Sequence, residues 1–497
     1  MIALFFIPCN KNTRQSFVLL MIKRTTNWFV SCCLIAFIIC ITSCNKDVFY
    51  TKNDAKLNFS TSIVTFDTIF TSVNSITRTL KVFNPYNATI QTNISLVGGD
   101  NSYYSINVDG KSGKTFKNVE IAAKDSIFIF IRTNIPPNGA NVPMLVSDTL
   151  AFFTNGNQQK VELLAFGQDA HFIVPNGTYA GISGNIIAHE GETVYWTNDK
   201  PYVIYGYAII DSTAKLIVEA GTKIYLHKSA GIWAYIGSCL EVNGTKENPV
   251  VFQGDRTENW YQKDYAQWDR IWLNESQQNH VFNYAIITNA FIGIQAETLN
   301  ESYGNKLQIS NTIIQKNELY GLFSRGYNIQ MENCVLTESK EMCLYVAGGG
   351  NQEYYHNTIY NHYSVQRGTP AAYFCNYYEL SVNGSIITYY GDLDVQNTNN
   401  IFYGSNTNEL RTASLDQGIC DIKFDNCLIK INDSLYNLLD QRNCLHNINP
   451  NFTNYSEFDF SLSQYSPCKR AGIYLPSVNC DILGQARNNP PSIGAYE

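Results

Sequence analysis

The sequence predicts an all-β protein, an N-terminal β-sandwich followed by a parallel β-helix. Three observations predict it. First, a short phrase recurs in which Asn precedes one or two small or apolar residues and then a β-branched pair. It reads Asn283-Tyr284-Ala285-Ile286-Ile287, Asn311-Thr312-Ile313-Ile314, Asn333-Cys334-Val335-Leu336, Asn357-Thr358-Ile359-Tyr360, Asn383-Gly384-Ser385-Ile386-Ile387 and Asn426-Cys427-Leu428-Ile429. Second, successive spacings of 22, 24 and 26 residues separate positions 311, 333, 357 and 383. Such a period marks a solenoid, whose units bury their apolar faces only by stacking on one another. Third, the apolar runs are short and β-branched, are divided by turn residues, and never hold helical periodicity for long. Composition agrees, with 45% hydrophobic and 15% charged residues, 33 Tyr and 27 Phe.

From the N-terminus, Lys23 and Arg24 precede an apolar run from Trp28 to Ile41, which ends Ile41-Thr42-Ser43-Cys44. A basic stretch, an apolar core and small residues before a cut make a secretory signal. With Cys at the cut, residues 1–43 resemble a bacterial lipoprotein signal, Met21 being an alternative start. The resemblance implies that Cys44 is lipidated, that 44–56 is a tether, and that the membrane is a partner through the anchor. Asn45-Lys46-Asp47 resembles the surface-export tags of Bacteroidetes lipoproteins, which implies an outer-membrane lipoprotein at the cell surface rather than on the periplasmic face. A net charge of −7 gives no basic footprint for nucleic acid.

Residues 57–170 alternate in strand-like fashion at Ile63–Phe66, Arg78–Phe83, Thr89–Ile94, Ser126–Ile131, Thr149–Phe153 and Val161–Phe166, with turns at Asn84-Pro85, Gly98-Gly99 and Pro136-Pro137 between them. This spacing predicts an immunoglobulin-like (Ig-like) sandwich. The order resembles the Ig-like domains of the abnormal-spindle/hydin type, which implies a spacer or binding platform.

The solenoid is expected over 171–480, starting its coils near Ala180. Leu216 and Leu240 are 24 residues apart, one coil. Each phrase-leading Asn suits the left-handed backbone needed where one strand bends into the next. With coils roughly 4.8 Å apart, equivalent amides bond along the stack. The pattern resembles the asparagine ladders of right-handed parallel β-helix proteins such as pectate lyases and polygalacturonases. Ser466-Pro467, Asp481–Gly484, Arg487 and Gly494-Ala495-Tyr496-Glu497 resemble the closing segment of secreted bacterial β-helix proteins, so 481–497 is expected as a C-terminal cap. Nine cysteines follow Cys44. An odd number leaves at least one thiol unpaired. Cys334 and Cys427 read as small stack residues, and Cys468 with Cys480 as the favoured disulfide.

Chemistry on a rigid stack belongs on what protrudes. Residues 253–270 form a polar, aromatic insertion, and Asp255, Arg256, Trp260, Tyr261, Asp264, Trp268 and Arg270 are its candidate binding residues. Aromatic rings stack on sugars, and carboxylates and guanidiniums bind hydroxyls and uronates. The competing reading is a loop that buries Trp260 and Trp268 against the coils. A second concentration holds Glu353-Tyr354-Tyr355-His356, His362 and Arg367, where histidine would supply acid–base chemistry. Asp392 and Asp394 share a face. No His or Cys spacing points to zinc. No cofactor is expected, and calcium only for a lyase. The polygalacturonase signatures Asn-Thr-Asp, Gly-His-Gly and Arg-Ile-Lys are absent. The expected function is therefore a lipoprotein that presents a β-helix to polysaccharide or a surface protein. A polysaccharide lyase or glycoside hydrolase is the alternative, and no catalytic residue is assigned.

Overall fold

The computed structural model describes residues 48–71, 75–137, 144–256, 261–276, 278–298, 306–363, 367–382 and 384–497. The signal segment, Cys44, Asn383 and the candidate Trp260 lie outside the described residues.

The chain divides into two compact units, the first formed by residues up to 66 with 74–134 and 146–165, the second by 67–73, 135–145 and 166–497. Two five-stranded sheets form early in the chain. One runs Asn58–Phe59, Arg78–Phe83, Ser126–Thr133, Tyr104–Val108, Lys111–Gly113, and the other Ile63–Phe70, Asn157–Gln168, Met144–Thr154, Ile90–Leu96, Thr115–Ile121. Five of the six strands expected from alternation fall within these, and the sixth, Thr89–Ile94, does so from Ile90. Inward positions such as Leu80, Val82, Ile129 and Ile131 are fully buried, alternating with exposed neighbours. Residues 50–57, most of them within the expected tether, run against this unit. Tyr50 stacks on Tyr86 at 3.8 Å, and Gln159 pairs with the Leu57 backbone through bonds of 2.7 and 2.9 Å.

In the second unit the chain visits three long sheets in rotation. The first sheet has 11 strands, from His171–Ile173 to Leu445–His446. The second has 10, from Gly177–Tyr179 to Leu410–Ala413, and the third has 10, from Thr193–Trp196 to Asp440–Arg442. Pairing is parallel throughout apart from the opening hairpin of the second sheet, where Gly177–Tyr179 meets Ile182–Ala188 antiparallel. Leu216 pairs with Leu240, as the spacing predicts. This all-β arrangement of stacked parallel strands is consistent with a β-helix solenoid. Its interior is one continuous apolar core running from Ile173 through Phe252, Phe282 and Leu344 to Phe424 and Ile431.

The asparagine register is partly as expected. Asn311, Asn333 and Asn426 adopt left-handed backbone, with φ of 51°, 53° and 48°. In two coils the left-handed residue is one off from the expected Asn: Tyr284 (φ 49°) rather than Asn283, and His356 (φ 54°) rather than Asn357. Gly384, expected within a coil, instead belongs to the tip of an antiparallel hairpin, Tyr377–Val382 with Ser385–Tyr390, that projects from the stack. The equivalent position in that coil is Asn399. Asn-Gly satisfies a tight hairpin turn with the same left-handed preference that marks a coil corner, so the phrase occurs in both settings.

The left-handed corner is followed by an inward ladder. Cys334 N–H donates to Asn357 Oδ1 (2.9 Å), Asn357 N–H to Asn400 Oδ1 (2.7 Å), Asn400 N–H to Cys427 Sγ (3.4 Å) and Cys427 N–H to Cys444 Sγ (3.3 Å). The closing segment covers a face of the stack. Phe460, Leu462, Cys468, Ile482, Ile493 and Ala495 pack on Val335, Tyr360, Ile401 and Leu428, outward residues of the first sheet. Arg487 donates to Asn333 Oδ1 (2.6 Å), and Ala495 N–H to Thr358 Oγ1 (3.1 Å). Contrary to the expected disulfide, Cys468 is a buried free thiol and Cys480 is also free. Cys468 lies in the apolar cluster with Leu462 and Ile493.

Candidate functional site

The described residues of the insertion after Val250–Gly254 do not gather their charges into one groove. Asp255 turns to His227, with 2.7 Å between Oδ2 and Nδ1. Burial raises the Asp255 carboxyl, against the pull of that imidazole. The Arg256 guanidinium lies 3.7 Å from the centroid of Tyr261. Asp264 serves through its backbone carbonyl, which accepts from Gln267 (3.0 Å) and Asn289 (2.7 Å). Trp268, expected as a sugar platform, is 1% exposed, with its indole N–H on the Thr288 carbonyl at 2.9 Å. It begins a strand whose inward positions fill the core, so its face is unavailable to a ligand. Among the described members of the set, Arg270 reaches the outer face of the second sheet.

That outer face carries a column which the sequence reading missed. In register across successive strands stand Trp233, Trp272, Gln295, Phe323, Tyr345, Tyr373 and Arg411. Trp233 and Trp272 stack at 4.9 Å, Phe323 and Tyr345 at 5.1 Å, and Tyr345 and Tyr373 at 5.5 Å, while Arg411 lies 4.9 Å from the Tyr373 ring. Because the rings stack on each other, they turn edges rather than faces outward. Gln295 interrupts the column, held by the Arg270 guanidinium, which also pairs with Asp269 at 2.9 Å. Asp269 accepts from the Tyr207 hydroxyl. One strand further, Glu297 is 1% exposed and pairs with Arg325, while Trp272 donates its indole N–H to Glu297 Oε1 at 2.5 Å. Two carboxylates and two guanidiniums, drawn from adjacent coils, thus form a charged belt between two aromatic stacks.

At its far end the column reaches a cleft of about 640 Å³, lined by Arg411, Asn406, Asn408, Leu410, Leu435 and Leu438 among others. The other outer faces differ in kind. The closing segment covers the first sheet from Val335 to Leu428. The third sheet presents a polar row, with Gln308, Gln330, Glu353, Gln396 and Lys423 in register.

The histidine concentration is structural. His356 is fully buried, its Nε2 2.8 Å from Asn399 Nδ2. Burial, and then the Arg487 charge, lowers its pKa from 6.5 to about 2. His362 pairs with Glu338 at 3.2 Å, and Arg367 is buried against Glu409 at 2.7 Å. Asp392 accepts from the Ile419 N–H (2.8 Å), and Asp394 from the Gln396 side chain (2.8 Å). Among the described residues no group of three His, Cys, Asp or Glu is placed to hold a metal ion. No helix among them is long and apolar enough to cross a membrane.

The folded pKa of His356 lies below its unfolded value, so as pH falls through 6.5 only the unfolded state gains the proton. Stability is therefore lost by about 1.4 kcal/mol per pH unit below that point. His356→Asn keeps a side chain suited to the left-handed backbone and removes the loss. Urea unfolding should show the variant gaining about 1.4 kcal/mol on the wild type between about pH 7.5 and about pH 5.5. A constant difference would mean that His356 titrates normally in the fold.

No family model matches the chain. No curated protein matches it either. Among solved structures, the ASH/PapD-like domain of human CEP192 (PapD-like domain 7) is similar at a TM-score of 0.17 and 10% identity, over 24% of this chain and 89% of that one. The catalytic unit of the thermostable GH87 alpha-1,3-glucanase from Streptomyces thermodiastaticus strain HF3-3 is similar at a TM-score of 0.31 and 11% identity, over 71% of this chain and 74% of that one. Likenesses this low carry no argument, and the fold rests on the chain's own strand pairing.

Proposed function

We propose that this chain is a membrane-anchored lipoprotein that binds glycan along the outer face of its second sheet. In this reading the solenoid is a right-handed β-helix, the hand that parallel crossovers adopt almost without exception. The two early sheets are an Ig-like spacer, and Cys44 bears the lipid that holds the molecule at the cell surface. The observation that supports glycan binding is the part of the column left open to solvent, from Phe323 through Tyr345 and Tyr373 to Arg411, with its terminal cleft. A row of ring edges and tyrosine hydroxyls ending in an exposed guanidinium, on a rigid wall, offers an extended polymer several contacts. The side chains are fixed by their neighbours before binding, which lowers the ordering cost.

The test is a glycan array with the full chain and with Arg411→Ala, an exposed position whose loss leaves the core intact. Arg411→Ala should weaken binding by about tenfold or more, the loss expected for a charged hydrogen-bond donor. An array with no bound glycan would remove the reading, and released oligosaccharide would replace it with the lyase or hydrolase alternative. Separately, Cys44→Ala should move the protein out of the membrane fraction.

A further inference from the structure

The inward ladder ends in two sulfurs. Cys427 lies before Leu428 and Cys444 before Leu445, and Leu428 pairs with Leu445 in register. The two cysteines are thus equivalent rungs of the last two coils. Each leans on the other's backbone strand: Cys427 N–H donates to Cys444 Sγ at 3.3 Å, and Leu445 N–H to the Cys427 carbonyl at 2.7 Å. Directly opposed residues on neighbouring strands fall within the Cα separation a disulfide needs. Both are free thiols in this structure, and we infer that on oxidation Cys427 and Cys444 form a disulfide that ties the final coil to the one before it.

The chemistry divides between the two residues. Cys427 is fully buried, and burial pushes its thiol up. Cys444 is only partly buried, and hydrogen bonding with the Cys427 thiol lowers it. Cys444, the one an oxidant in solution can reach, is therefore the cysteine that attacks, as its thiolate. It attacks a disulfide oxidant, forms a mixed disulfide and releases one thiol. The Cys427 sulfur, giving up its proton to solvent, then attacks the Cys444 sulfur and releases the second thiol. Two protein thiols are oxidised and one oxidant disulfide is reduced to two thiols. The bond closes the short loop holding the Asp433–Tyr436 helix and the Asp440–Arg442 strand. Among the described residues no further strand of the third sheet pairs beyond Asp440–Arg442, so that strand has a neighbour on one side only.

The test treats the purified full chain with oxidised glutathione, alkylates the remaining thiols and maps non-reduced peptides. Cys444 and Cys468 share a tryptic peptide, so fragment sequencing must place the link. The expected result is a cross-link from Cys427 to Cys444, a mass lower by two hydrogens, and slower proteolytic release of the segment after Lys430. In Cys444→Ser, Cys427 should stay reduced and alkylate only on denaturation. In Cys468→Ser the link should form unchanged. Three results would each overturn the inference: both thiols alkylated after oxidation, a glutathione adduct on Cys444 without a cross-link, or a link from Cys444 to any other cysteine.

Discussion

Replacing Arg367 by methionine is expected to destabilise the solenoid by about 3–5 kcal/mol. The Arg367 and Glu409 side chains are 1% and 0% exposed, and two guanidinium bonds of 2.7 and 2.9 Å join them. Arg367 also donates to the Asn361 carbonyl (3.0 Å) and the Thr369 carbonyl (3.0 Å), and so pins the loop between two coils. Methionine fills a similar volume but leaves the Glu409 carboxylate buried without its cation, with neutral backbone donors at Asn406 (2.6 Å) and Ala371 to answer it. The penalty is that of an orphaned charge, not the net worth of the pair. The double variant Arg367→Met with Glu409→Leu should therefore recover much of the loss. Urea midpoints at constant slope decide the matter. A double variant as weak as the single one would mean that the loop bonds, and not the charge, dominate.

Asn400→Leu carries the next largest expected effect, about 3–5 kcal/mol. Asn400 is fully buried at the centre of the inward ladder. Its Oδ1 accepts from Asn357 N–H (2.7 Å) and Asn357 Nδ2 (3.1 Å), and its Nδ2 donates to the Tyr354 carbonyl (2.7 Å). Leucine is close in volume, so cavity formation is minor and the cost comes from three polar groups stranded away from water. The Asn357 amide should exchange with solvent far faster in the variant, at the coil above the mutation as well as at the mutated one. A stability change under about 1 kcal/mol would show that the ladder is decorative. Equivalent substitution at Asn311, which is half-buried at an outer corner, should cost less because water can replace its partners.

These two residues also show what the sequence revealed and what it hid. The corner asparagines were legible because left-handed backbone admits few residue types, so Asn311, Asn333 and Asn426 mark coils unaided. Tyr284 and His356 hold the same conformation against that preference, and no local rule points to them. Asn400 follows the corner residue Asn399 and differs from it only in facing inward. Gly384 falls instead at the tip of a hairpin. The charged belt was invisible because its members lie far apart in sequence. Asp269, Gln295, Glu297 and Arg325 meet only through strand register. The insertion drew attention through its composition, yet its Trp268 fills the core and its Asp255 pairs with His227.

Both functional readings need residues past about 171 to wind as coils, one strand spacing apart. Spin labels introduced as unnatural amino acids on the third sheet measure this directly. Glu241, Glu353 and Lys423 occupy one outward row, four and six strands apart by register. Pulsed dipolar spectroscopy should give roughly 19 Å for the 241–353 pair and roughly 29 Å for the 241–423 pair, in the ratio of the strand steps. Equal distances for the two pairs, or a 241–423 separation shorter than the 241–353 one, would contradict the stack.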